Sequence, residues 1–223
     1  MRFRLNVGDA VRVLTHPAQP PAVVVERWEG RALDDPYDEN IYAVSGFVTR
    51  QRETSLVPVG WVALSLDSPG DWRTAGQARF PRVAPGTVAT EGGPGVLWWS
   101  REEFEDFLLL VDWRVPGPDA VAAVLLRLPP LADAEAGRGP ADWRTAVAEG
   151  WQIPIPPAPG SAAETWHTFA LEARGSRLAV TLDGAPLWER EGGPGRRLRG
   201  HVGFLADPRG PGVRFRNPQL RPL

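Results

Sequence analysis

The chain holds three histidines, His16, His167 and His201, and no cysteine. None of the histidines falls in an H-x-x-H or H-E-x-x-H spacing, and without thiolates the common zinc donor sets cannot be assembled. The same count excludes thiol catalysis and disulfide stapling. No G-x-S-x-G elbow presents a nucleophilic serine, and the Gly-Gly-Pro-Gly turns at 92–95 and 192–195 lack the Lys, Ser or Thr of a phosphate loop. Two constellations remain. The run Asp34-Asp35-Pro36-Tyr37-Asp38-Glu39-Asn40 collects carboxylates that could hold calcium through oxygen. It lacks the spaced glycine of a dedicated calcium loop, so a solvated loop is the preferred reading and no cofactor or metal is assigned. Trp98 and Trp99 are adjacent, and in an extended segment they point to opposite faces. One then enters the core and the other is presented outward, where an indole is a platform for a sugar ring; Trp99 is assigned that role, against the alternative that loops cover both.

These residues must be positioned by strands. Residues 107–115 carry the clearest alternation: Phe107, Leu109, Val111, Trp113 and Val115 are expected to face a core, with Leu108, Leu110, Asp112 and Arg114 opposite. His167, Phe169, Leu171 and Ala173 alternate with Trp166, Thr168, Ala170 and Glu172. Arg177–Leu182 and Pro186–Arg190 flank Asp183-Gly184, a pair suited to a type I′ hairpin because glycine accepts positive φ. Strands are also expected at 201–205 and 213–215. The best helix candidate is one or two turns at Ala141–Glu149. Earlier, short strands at 9–14, 22–28, 40–48 and 56–63 suit a small barrel that loosely resembles SH3-like barrels. The turn-rich Leu66-Asp-Ser-Pro-Gly70 marks the boundary. The expected architecture is all-β: an SH3-like barrel at 1–65, then a concanavalin-like jelly-roll sandwich at 66–223. Echoes of Asp-Trp-Arg-Thr-Ala at 71 and 142, and of Glu-Gly-Gly-Pro-Gly at 91 and 191, have different offsets and are not repeats.

With 223 residues the chain can bury a core unaided. Its 25 basic residues, all arginine, are interspersed with 27 acidic ones for a formal net charge of -2, which argues against a nucleic-acid partner. No apolar run of roughly 18 residues marks a membrane span. The start, Met1-Arg-Phe-Arg-Leu-Asn-Val-Gly-Asp9, lacks the apolar stretch of a secretory signal. The expected location is cytoplasmic, or extracytoplasmic if a leader has been removed.

From about residue 70 onward, a series of motifs resembles the 3-keto-disaccharide hydrolase family. Trp98-Trp99, Asp106-Phe107 and the strand ending at Arg114 come first. Val124-Leu-Leu-Arg127 and Gly150-Trp-Gln152-Ile-Pro154-Ile follow. Trp166-His-Thr-Phe169, Arg177 to Leu187, Gly200-His-Val-Gly-Phe204 and Val213-Arg-Phe-Arg-Asn217 match the closing strands in order and spacing. The resemblance implies a secreted or periplasmic jelly roll that cleaves 3-keto-glycosides, often with a bound metal. It places Arg114 and Arg127 at corresponding points of neighbouring strands, as guanidinium forks for sugar hydroxyls or a carboxylate, or as partners in ordinary sheet salt bridges.

The departures fall where the chemistry should be. Ala120-Val-Ala122 stands where the family has Asn-Ser-Gly, Gln152 and Pro154 replace a Glu and a Gln, and Leu205-Ala-Asp207-Pro replaces a Gln-x-His-Gly segment. A carboxylate serves as general base or metal ligand, and an amide at Gln152 does neither at neutral pH. The expected function is a carbohydrate-binding or degenerate glycan-processing sandwich, with Trp99, Arg114, Arg127 and Gln152 contacting the sugar. An active lyase or hydrolase would use Asp207 and Arg127. A third reading makes both domains assembly modules, with the barrel docking a protein partner.

Overall fold

The structure is a computed structural model describing residues 4–16, 18–29, 39–68, 70–117, 120–131, 142–156, 165–207 and 212–223. Among the described residues it is built from strands, one short α-helix and a 3-10 turn at Glu53–Ser55, and the chain divides into two compact units, Met1–Ala63 with Gln219–Arg221, and Leu64–Pro218 with Pro222–Leu223. Among the described residues no helix is long and apolar enough to cross a membrane.

The first unit is a five-stranded antiparallel sheet. Its strands are β1 (Ala10–Val13), β2 (Ala22–Trp28), β3 (Ile41–Val44), β4 (Gln51–Arg52) and β5 (Leu56–Pro58), in the order β4-β3-β2-β1-β5. Val11, Val13, Ala22, Val24, Tyr42, Val44 and Leu56 pack with Leu5 into its core. Buried Glu53 accepts hydrogen bonds from Asn40 Nδ2 at 2.7 Å and Tyr42 Oη at 2.6 Å. Burial, reinforced by the Glu53 charge, drives the Tyr42 phenol far above its ordinary pKa. Of the acidic run at 34–40, residues 34–38 lie outside the described residues. Glu39 accepts from Thr54 Oγ1 at 3.0 Å. The short strand β6 (Val62–Ala63) ends the unit's main segment.

The second unit is a sandwich of two sheets. The smaller has the order β13-β12-β17-β10-β7, from β7 (Trp72–Gly76), β10 (Gly95–Trp99), β12 (Ala122–Leu128), β13 (Trp151–Pro154) and β17 (His201–Ala206). The larger runs β16-β15-β14-β11-β18-β9-β8. It contains β8 (Arg82–Ala84), β9 (Thr87–Ala89), β11 (Phe107–Arg114), β14 (His167–Arg174), β15 (Arg177–Leu182), β16 (Ala185–Glu191) and β18 (Arg214–Pro222). Between the sheets Phe107, Leu109, Val111, Trp113, Phe169 and Leu171 are at most 2% exposed, the inward set that the alternation assigns. Each contributes about 1.5–3 kcal/mol of burial free energy. Phe204 of β17 stacks on Phe215 of β18 at 4.3 Å and joins the layers. The Asp183-Gly184 turn closes the β15–β16 hairpin with both residues at positive φ, 51° and 81°.

The α-helix α1 (Trp143–Glu149) has seven residues, of which Ala146 and Val147 are buried. It crosses the face of the smaller sheet that points away from the sandwich core. Ala146 and Val147 pack there against Val96, Trp98, Ala123, Leu125 and Leu128. Trp143 lies over β7, with Cε2 3.1 Å from where a Cβ on Gly76 would stand. Gly76, at φ +90°, is a position where a side chain would meet both backbone strain and this ring.

Candidate functional site

The outer face of the smaller sheet is built by a simple rule. Along β10, Val96 and Trp98 point outward, whereas Leu97 and Trp99 point into the sandwich. Trp99 is 4% exposed and meets Trp72 edge-on at 5.5 Å, while Trp98 is 5% exposed beneath α1 and against His201. The expectation of an outward indole is therefore corrected. Trp99 belongs to the inter-sheet core, and a helix covers the indole on the other side.

Gln152 lies across from Leu125 in the β12–β13 register and donates from Nε2 to the Val147 main-chain oxygen at 3.1 Å. It anchors the helix, at the position expected from the resemblance to stand in place of an acid. Asp207 follows the last residue of β17, half-exposed, and its main-chain N–H donates to Val121 O at 3.4 Å. Its alternation with Leu205 sets it at the margin of the same outer face.

The two arginines lie on different sheets, not on neighbouring strands, because the chain crosses from one layer to the other between β11 and β12. Arg127 sits in a β-bulge between Leu125 and Leu128 with φ 55°, which turns its side chain towards the larger sheet. The fully buried guanidinium donates to Glu105 O at 3.1 and 2.7 Å, to Gly175 O, and to Asp106 Oδ1 at 3.3 Å. Desolvation lowers its pKa, opposed by the charges of Asp106 and Glu105. Arg114 lies on the larger sheet, its guanidinium 4.9 Å from the Trp166 ring centroid, with Arg216 at 3.9 Å from the same ring. Arg216 Nε lies 3.5 Å from buried Asp112, which also accepts from Thr168 Oγ1 at 2.7 Å and Asn217 Nδ2 at 2.9 Å. Thus Trp99, Arg114, Arg127, Gln152 and Asp207 do not converge on one opening, and of the five only Gln152 and Asp207 belong to the outer face.

An opening does exist where α1 ends. A cleft of about 400 Å³ is lined by Glu149, Gly193, Pro194, Gly195, Arg196 and Arg197. Arg196 donates through Nη1 to the carbonyls of Ala148, Glu149 and Gly150 at 3.4, 3.2 and 3.1 Å, and its guanidinium lies 4.7 Å from the Trp151 ring centroid. It satisfies carbonyls that every helix C-terminus leaves open. Beside it, Glu103 approaches Arg197 Nη2 at 3.9 Å, Arg199 Nε at 3.5 Å and His201 Nε2 at 3.9 Å. His201 is 6% exposed, with Nδ1 3.0 Å from Glu102 O. Burial lowers its pKa below the ordinary 6.5, against the opposing pull of that carbonyl and of Glu103. From sequence, the Glu-Gly-Gly-Pro-Gly run at 191–195 reads as turn chemistry alone. Its glycine-proline loop followed by two arginines was the signal available.

Among the described residues no three or more His, Asp and Glu side chains are grouped so as to hold a metal ion. Glu39, in the acidic run considered for calcium, is engaged with Thr54.

Residues 60–221 match the family described as the 3-keto-alpha-glucoside-1,2-lyase-like domain. Among solved structures, a candidate glycosyl hydrolase from Parabacteroides distasonis ATCC 8503 aligns with a TM-score of 0.54 at 12% identity, over 73% of this chain and 99% of that one. A protein of unknown function with a galectin-like fold from Bacillus subtilis aligns with a TM-score of 0.51 at 14% identity, over 72% and 94%. At these identities the likeness is one of fold. No curated protein matches the chain.

Proposed function

Since the chain belongs, over residues 60–221, to the 3-keto-alpha-glucoside-1,2-lyase-like domain family, we propose that its sandwich recognises saccharides without cleaving them. The observation that carries this reading is the placement of α1. The outer face of the smaller sheet bears Val96, Trp98, Ala123 and Leu125, and Ala146 and Val147 pack directly on it. A glycosidic bond cannot be protonated or attacked there by apolar side chains under a helix. Gln152, at the motif position of an acid, spends its amide on that helix. The space left open at the helix C-terminus, about 400 Å³, lies within the range of small-molecule sites. It offers a carboxylate, guanidinium donors and main-chain groups, the hydrogen-bonding partners that sugar hydroxyls require.

One observation favours a second reading. Asp207 is half-exposed at the margin of the same face, at the end of β17. A family member that retains turnover would use this carboxylate as its acid or base.

The test is saturation-transfer NMR on the full chain with a panel of mono- and disaccharides and their 3-keto forms. Transfer to at least one saccharide, abolished by competing unlabelled ligand, is expected. Silence across the whole panel at millimolar concentration would overturn saccharide recognition.

A further inference from the structure

We propose that the cleft at the end of α1 binds the carboxylate of an acidic saccharide, a uronic acid. This deepens the reading above and rests on it.

Arg196 is the fixed element. Three carbonyl oxygens hold its Nη1, and the Trp151 ring supports its plane. Its Nε and Nη2 make no hydrogen bond among the described residues, so one edge of the fork stays available, and that edge matches two oxygens of a planar carboxylate. Because the guanidinium is already immobilised, little side-chain entropy remains to be lost on binding.

Arg197 is the second donor. It lines the cleft, its side chain is 36% exposed, and its contact with Glu103 through Nη2 is long at 3.9 Å. Glu103 is shared with Arg199 and His201, so it neutralises Arg197 only in part.

The rest of the lining selects a sugar over a bare anion. Glu149 lies on the same cleft and accepts from hydroxyls, while repelling a second carboxylate, so a monoanion with neutral hydroxyls is the complementary shape. Gly193 and Gly195 leave open space where side chains would stand, so a ring can approach the main chain closely.

The test follows amide resonances of the ¹⁵N-labelled full chain during titration with D-glucuronic acid, its methyl ester, D-glucose and sodium acetate. Glucuronic acid should shift Gly193, Gly195, Arg196 and Arg197 saturably, with the ester and glucose at least roughly tenfold weaker. Arg197→Gln, which leaves the Arg196 anchor intact, should weaken glucuronic acid by roughly tenfold while the unbound spectrum stays folded. Acetate binding as tightly as glucuronic acid would overturn the saccharide assignment. Neutral sugars binding as well as the acid, or shifts confined to other surfaces, would overturn the carboxylate assignment and leave general saccharide recognition standing. An absence of shifts here, alongside binding elsewhere in the wider panel, would overturn this site alone.

Discussion

Gln152 and Val147 are joined by one hydrogen bond, from the Nε2 amide of β13 to a main-chain oxygen of α1 at 3.1 Å. The residue that the family resemblance sets against an acid thereby holds the helix over the outer face of the smaller sheet. An ionised glutamate has no donor for that carbonyl and would meet the negative end of the helix dipole. Gln152→Glu is expected to lower stability by about 1 kcal/mol and to accelerate amide exchange within residues 143–149. Unchanged exchange in that helix would contradict the anchoring role.

Arg127 spans two strand ends and a hairpin through the carbonyls of Glu105 and Gly175. Arg127→Met leaves both oxygens without their donor and should cost about 2–4 kcal/mol in denaturant unfolding. Arg127→Lys should recover less than half of the loss, because one ammonium cannot reproduce the fork. Full recovery by lysine would show that charge alone matters.

His201 gives the pH dependence a sign. Its folded pKa lies below the ordinary 6.5, so the unfolded chain takes up its proton at higher pH than the folded one does. Stability should fall as pH drops from about 7 towards 5 through this residue, and level off once the folded side chain is protonated. His201→Gln should flatten that part of the stability–pH curve. A curve of undiminished slope would assign the dependence to other groups.

In the first unit, Tyr42→Phe removes a 2.6 Å hydrogen bond to buried Glu53. A loss of about 1–2 kcal/mol is expected in the thermal unfolding of the full chain. A neutral result would mean that the carboxylate's remaining partners, Asn40 and Arg4 among them, satisfy it without the phenol.

The sequence made the inner layers readable because alternation is local. Phe107 to Trp113 and the Asp183-Gly184 hairpin declare themselves within a few residues of chain. The outer face was not readable in the same way. Trp98 and Trp99 look equivalent in sequence, and which one is covered by what depends on α1, whose seven residues are too few to show a strong amphipathic period. Arg127 reads as a strand-end fork until a bulge turns it inward, and Arg114 reads as its neighbour until the crossover puts them in different sheets. The cleft joins Glu149 to Gly193–Arg197 across long sequence separation, so no spacing could announce it.

The measurement that bears most directly on recognition without cleavage is one NMR experiment. The full chain is incubated with a 3-keto-disaccharide, with and without calcium, while saturation transfer and free products are recorded together. Transfer to the intact disaccharide and no product signals over many hours are expected. Steady release of monosaccharide, lost on Asp207→Asn, would contradict recognition without cleavage and establish an enzyme.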